Sequence, residues 1–226
     1  MDANLYKQRS IKAAHAIEAL KKNGFEAALV PSIESLPKLV TSLIPDGSSI
    51  GLGGSVSLVE SGVLEAVRKG PYKLIDRYEK GLSKEQLHQR LREGLLSDVF
   101  LTSTNAITLN GELYNVDGTS NRTAAMLFGP EKVIVVASAS KIVSNLAEAI
   151  VRVKTICAPA NAIRLDCPTF CASSGSCIKR SFSPENLMCL PAGACESTIC
   201  SNAVIMGHQK AAGRITVLIC LEDLGY

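Results

Sequence analysis

Two stretches hold the residue types that handle small anions. The first is LTSTNAITLNGELYNVDGTSNR, from Leu101 to Arg122, and it carries Asn105, Asn115, Asp117, Gly118, Thr119, Asn121 and Arg122. Amides and hydroxyls can orient a polar ligand, and a guanidinium offers a two-pronged fork to a carboxylate or phosphate. A short helix predicted over Thr123–Phe128 would add free backbone N–H groups at its start, where anions settle. This stretch therefore reads as half of a ligand site. The second stretch, from Gly51 to Ser57, supplies Gly51, Gly53, Gly54, Ser55 and Ser57 between a predicted strand and a predicted helix. Glycines let a backbone approach a ligand, and either serine could cap the helix and bond an anion. The spacing lacks the third glycine of a dinucleotide loop and the Gly-Lys-Ser/Thr of a P-loop. Each feature also has a plainer reading: a tight turn with a serine cap, and Asn or Asp serving turns. Glu60 and Asp117 are the carboxylates on hand for acid–base work. His15, His88 and His208 fall in segments suited to solvated or capping roles. Ser55 is not in a G-x-S-x-G elbow, so a Ser–His–Asp triad has little material.

Thiols form the third feature. All eight cysteines follow residue 156, and Cys167-x3-Cys171-x5-Cys177 leads into Cys189-x5-Cys195-x4-Cys200. Four thiolates suffice for tetrahedral zinc or an iron–sulfur cluster. The spacing is neither that of a zinc ribbon nor of a ferredoxin, and partly buried thiols without metal are the alternative. Cys220 sits in a strand-like run and reads as core, and Cys157 at a helix end does not read as a ligand.

The elements that must position these groups alternate. A helix is predicted over Asp2–Asn23, with Ala13, Ala14, Ile17 and Leu20 as its apolar stripe and Gly24 as its stop. Strands are predicted at Phe25–Val30, Ser49–Leu52, Tyr72–Asp76, Val99–Thr102, Lys132–Ala137 and Arg214–Leu221. Helices are expected from about Leu36 to Ile44, over Val56–Lys69 with a break near Gly62, over Ser83–Leu95, and from Ser140 to about Val153, where Pro159 bars continuation. Asn110-Gly111 between apolar runs predicts a two-residue hairpin. Such alternation argues for an α/β fold with a mostly parallel sheet and helices on both faces, in which KVIVVA is central. One domain over residues 1–226 is expected. Its Cys-rich excursion, residues 165–202, has no clear period.

Composition narrows the partners. A chain of 226 residues with 46% hydrophobic and 20% charged residues can bury a full core. Net charge is only +3, and five Tyr, five Phe and no Trp leave little to stack bases on, which disfavours nucleic acid. No apolar run approaches the roughly 20 residues that span a bilayer, and the N-terminus lacks a signal-peptide apolar region. A cytoplasmic setting is the expectation, with a small anionic metabolite as partner.

Together, TSTNAITLNGELYNVDGTSNR, FGPEKVIVVA, APANAIRL and RITVLICLEDLGY resemble the LUD-domain family of lactate-utilisation proteins, and GLGGSVSLVESG resembles that family's glycine loop. The resemblance implies a three-layer, Rossmann-like fold of the NagB/RpiA/CoA-transferase type. It also implies a cytoplasmic role in oxidising lactate or a related hydroxy acid, alongside iron–sulfur partner subunits; a homodimer stays open. More distantly, Asn105, Asn110-Gly111 and Asn115-x-x-Gly118-Thr119 are similar to the methylthioribose-phosphate isomerase branch. That branch has an acid–base Asp where this chain has Asn105, and an amide does not exchange protons as a carboxylate does. The resemblance implies Cys171 and Cys177 as metal ligands ahead of Ser183-Pro184-Glu185, with Cys195 and Cys200 completing the set and Cys167 and Cys189 as alternates. Arg180 stands where that pattern has its third thiol. Iron–sulfur or zinc is the implied cofactor.

Overall fold

Runs of β-branched residues build the centre of the molecule. In the computed structural model, which describes residues 2–179, 181, 195 and 197–226, β7 (Lys132–Ser138) and β10 (Ile215–Cys220) lie side by side. They are flanked by β1 (Glu26–Val30), β2 (Ser49–Leu52), β3 (Lys73–Ile75) and β4 (Val99–Thr102) in the order β1-β10-β7-β4-β2-β3, with every pairing parallel. Side chains alternate across the sheet. Val133, Val135 and Ala137 join a core with Ala13, Ala16 and Leu20 of α1 (Ala3–Lys22) and Ala125 and Met126 of α6 (Asn121–Leu127). Ile134 and Val136 face a second core with α2 (Leu36–Ser42), α3 (Val56–Glu60) and α4 (Val63–Lys69). Helix, sheet and helix thus form the three layers expected of alternating elements. The break near Gly62 is real: Gly62 has φ 72° and separates α3 from α4. α5 (Lys84–Glu93) opens on a capping box made by Ser83 and Gln86.

A second sheet, not foreseen from the sequence, carries the central motif. β5 (Ala106–Thr108), β6 (Leu113–Asp117), β8 (Ile142–Val143) and β9 (Asn202–Met206) run in the order β8-β5-β6-β9. The β5–β6 connection is one residue longer than the expected two-residue hairpin. The Gly111 N–H donates to the Thr108 carbonyl and the Thr108 N–H to the Glu112 carbonyl, leaving Leu109-Asn110-Gly111 as the loop. Only Gly111 takes positive φ there, at 78°. A methyl at Gly111 would sit 2.4 Å from the backbone of Ala19, so the loop needs glycine for space as well as for φ.

Two helix expectations are corrected. Ser140 does not start a helix: residues 139–141 form a single 3-10 turn, and Ile142-Val143 pair with β5. Nor does Pro159 end the helical run. α7 (Leu146–Arg152) widens into a π-turn at Val153–Cys157 and continues as α8 (Ala158–Arg164), with Pro159 in its first turn. Proline has no N–H for the carbonyl four residues earlier, and the widened turn accommodates that lost bond. The predicted helix at Thr123–Phe128 starts two residues sooner, as α6. α9 (Phe170–Ser174) follows α8 in the thiol-rich stretch. No helix among the described residues is long and apolar enough to cross a membrane.

Candidate functional site

The carboxyl ends of β2, β4 and β7 meet at a partly open cavity of about 100 Å³. In open parallel sheets that edge is where ligands bind. The glycine loop contributes Gly54, Ser55 and Ser57, the turn after β4 contributes Ser103, Thr104 and Asn105, and the turn after β7 contributes Lys141. The π-turn and α8 close one side with Val153, Cys157, Asn161 and Arg164, and Tyr226 joins them at the mouth.

Lys141 is the group the sequence reading missed. It is 2% exposed, and its Nζ lies 3.0 Å from both Ser57 Oγ and Ser103 Oγ and 3.4 Å from the Thr104 carbonyl oxygen. Among the described residues no carboxylate lies within ion-pair distance of it. Burial pushes its ammonium from the usual 10.5 down to about 7; Cys157 opposes the shift, Arg152 and Arg122 add to it, and Glu60 opposes it. Its sequence signal was positional: a lysine just past the end of the most apolar strand, between Ser138 and Ile142.

Arg122 plays a different part from the one expected. Its guanidinium donates to Asp117 Oδ1 from Nε at 2.9 Å and Nη2 at 2.6 Å, to Asn115 Oδ1 at 2.6 Å, to Asn105 Oδ1 at 3.0 Å, and to the carbonyls of Ser103 and Val116. All its N–H groups are consumed within the protein, so it knits the loops together and offers no open fork. Its charge still faces the cavity. Asp117 is likewise committed, because its other oxygen accepts the Thr123 N–H at 2.9 Å and caps α6. That carboxylate occupies the start of α6, where an anion was expected to settle.

The remaining expected residues divide. Gly54, Ser55, Ser57, Asn105, Asp117 and Arg122 line the cavity. Asn115 is fully buried behind Arg122 and does not reach it. Gly51 lies against Gly94 and Ser97, and Gly53 against Thr102 and the Arg122 stem; both serve close packing rather than contact with a ligand. Gly118 lies beside Ile199, while Thr119 bonds Asn121; none of the three borders the cavity. Glu60 is also outside, accepting the Gly225 N–H at 2.7 Å. Ser55 caps α3 through the Leu58 N–H, and its own N–H donates to the Tyr78 hydroxyl, which holds the glycine loop. No histidine lines the cavity.

Behind the π-turn, Arg152 Nη1 donates to the Asn105 carbonyl and to Cys157 Sγ, both at 2.7 Å. This pins the helical wall to the loop after β4. At the mouth, Arg164 is held by Asn161 Oδ1 and by the Tyr226 hydroxyl at 2.8 Å.

Cys171, Cys177, Cys195 and Cys200 converge on a second, smaller and mostly apolar cavity of about 20 Å³. Even so, among the described residues no group of three or more Cys, His, Asp or Glu side chains is placed to hold a metal ion. As they stand, these thiols do not fit a coordination shell. Cys167 lies outside that cavity, and Cys189, Arg180 and Ser183-Pro184-Glu185 lie outside the described residues.

A model of the LUD domain matches residues 13–220. The chain belongs to the LUD-domain family. Among solved structures, a DUF162 family protein from Deinococcus radiodurans superposes with a TM-score of 0.51 over 95% of this chain and 98% of that one, at 14% identity. At that identity the likeness concerns the fold. No curated protein matches the chain.

Proposed function

We propose that this LUD-domain protein takes part in oxidation of lactate or a related small hydroxy acid, and that it binds a small anionic metabolite in the cavity at the ends of β2, β4 and β7. One observation carries the binding reading: the charge around the cavity is unbalanced. Among the described residues, Arg122, Lys141 and Arg164 line it against a single carboxylate side chain, Asp117, which is already bound by Arg122 and by the α6 backbone. A unit charge about 4 Å from an anion contributes about 4 kcal/mol at an effective dielectric near 20. Taking the anion out of water costs several kcal/mol. Two unpaired cations are therefore enough to favour binding where one would only break even.

Among the described residues, Lys141 and Arg164 are those two. The Ser55 and Ser57 hydroxyls and the Asn161 amide would orient the ligand, and Arg122 would add field without direct contact. The cavity volume suits a molecule of a few heavy atoms. The family relationship supports the hydroxy-acid part of the reading, and iron–sulfur partner subunits for electron removal belong to the same proposal. The test is a thermal-shift screen of small carboxylates, sugar phosphates and coenzyme A esters. Stabilisation by a short carboxylate and none by its neutral amide supports the reading; stabilisation by none of them ends it.

A second reading rests on the convergence of Cys171, Cys177, Cys195 and Cys200 on one cavity. In it the protein is a non-catalytic assembly or electron-transfer subunit with an iron–sulfur cluster or zinc. Elemental analysis of anaerobically purified protein decides: stoichiometric iron with sulfide, or zinc, supports it, and metal-free protein ends it.

A further inference from the structure

Lys141 is more than a positive charge. An ammonium can anchor an anion, but the same nitrogen unprotonated is a nucleophile toward carbonyl carbon, and desolvation beside other cations is how proteins activate such an amine. We propose that Lys141 Nζ forms an imine with the carbonyl of a short 2-oxo acid held in this cavity. The inference rests on the anion-binding reading above and names the substrate class of that same site.

Three features of the geometry carry it. First, Nζ is delivered to the cavity wall by the turn after β7, with Ser57 and Ser103, which themselves line the cavity, as its nearest partners. A hydroxyl can donate or accept, and Ser57 also reaches Ser103 Oγ and the Leu224 carbonyl. Ser103 Oγ can likewise donate to the Thr104 carbonyl, so both hydroxyls can spend their protons on carbonyls and leave the nitrogen lone pair free. Second, among the described residues no carboxylate lies within ion-pair distance of the amine, so none of them holds it in the protonated state. The charged and titratable groups facing it are Cys157 from the π-turn, Arg152 from α7, Arg122 from α6 and Glu60 from α3; burial outweighs them and leaves its midpoint at about 7. Third, Arg164 at the mouth supplies a cation for the carboxylate end, which would leave the carbonyl carbon directed inward.

The step balances without a further reactant. The Nζ lone pair forms a bond to the carbonyl carbon while the carbonyl oxygen takes a proton, relayed from the attacking nitrogen through a serine hydroxyl. The resulting carbinolamine expels its hydroxyl with a second proton as water, leaving a carbon–nitrogen double bond. One water leaves for each imine formed, and nothing is oxidised or reduced.

The test incubates purified protein with pyruvate and sodium cyanoborohydride, then maps carboxyethylated lysines by peptide mass spectrometry. Binding of pyruvate is measured separately by calorimetry without reductant. The expected result is one saturable adduct on the Lys141 peptide, formed at least tenfold faster than on any surface lysine. With acetone, which lacks the carboxylate, no preference for Lys141 is expected. Reaction should accelerate as pH rises through about 7. Lys141→Arg should lose the adduct, and the wild-type map alone decides should that variant fold poorly. Pyruvate binding with an unmodified Lys141 overturns the imine and leaves the anion site standing. Uniform labelling of surface lysines overturns the imine as well. No binding and no adduct overturns both.

Discussion

At the residue scale the molecule contrasts two buried cations. Arg122 is fully bonded to Asp117, Asn115, Asn105 and two carbonyls, whereas among the described residues Lys141 has only hydroxyls and one carbonyl. Their variants should therefore behave oppositely. Arg122→Met strands the Asp117 carboxylate and the Asn115 oxygen, and breaking a buried pair in this way costs about 3–5 kcal/mol, readable as a lower urea midpoint. Lys141→Met removes a charge that burial penalises. The lysine midpoint falls from 10.5 to about 7 on folding, so between those values the unfolded chain holds more protons than the folded one. Stability must rise with pH across that window, and below about 7 the penalty stands in full. Wild type should thus gain on Lys141→Met as pH climbs from 7 to 10, and the variant should be the more stable of the two near pH 6. Urea unfolding of both proteins at four pH values checks the crossing trend. Lys141 was not legible in the sequence because a single lysine between Ser140 and Ile142 looks like any surface cation; only the fold shows that its stem runs inward. Arg122 was expected to meet a ligand, but its bonding partners within the protein were not legible. Asn105, Asn115 and Asp117 were expected to hold a ligand, and in the structure they largely hold the arginine.

At the element scale, the strands of the parallel sheet were plain. KVIVVA and RITVLICL are buried on both faces and need no alternation to be recognised. The second sheet was obscure for physical reasons. β8 has two residues, and β9 shows mixed burial next to a thiol-rich stretch without period. Pairing partners far along the chain make them strands, and local pattern does not. The β5–β6 hairpin is seated on α1 by the Asn23 amide, which donates to the carbonyls of Asn110 and Gly111 at 2.9 Å. Gly111→Ala should collide with the Ala19 backbone and strain a positive φ, lowering stability by about 1–3 kcal/mol. Gly47→Ala, also at positive φ but with nothing nearby, should cost less. Chemical denaturation of the pair separates the steric contribution from the conformational one.

At the scale of the whole molecule, two sheets share the work. The parallel sheet brings three strand ends together, and the smaller sheet presses Asn105 and Asp117 against that rim from the side. Ser55 of the glycine loop and Asn105 of the loop after β4 lie on the same cavity. Asn115, expected with Asn105 and Asp117 to orient a ligand, supports the rim from behind. The thiols mark the limit of spacing arguments. Four of them reach a common cavity, yet proximity in a wall is not coordination.

A rim that receives a small carboxylate on a protonated Lys141 should show it in titration calorimetry with lactate. Lactate has no ketone carbon to trap, so the pH dependence of its affinity reports the ammonium and not an imine. Binding should be at least tenfold tighter at pH 6 than at pH 9 and should be lost in Lys141→Met at both. Affinity that is indifferent to pH and to that substitution, or no heat at any pH, would rule out Lys141 as the anchor of a carboxylate.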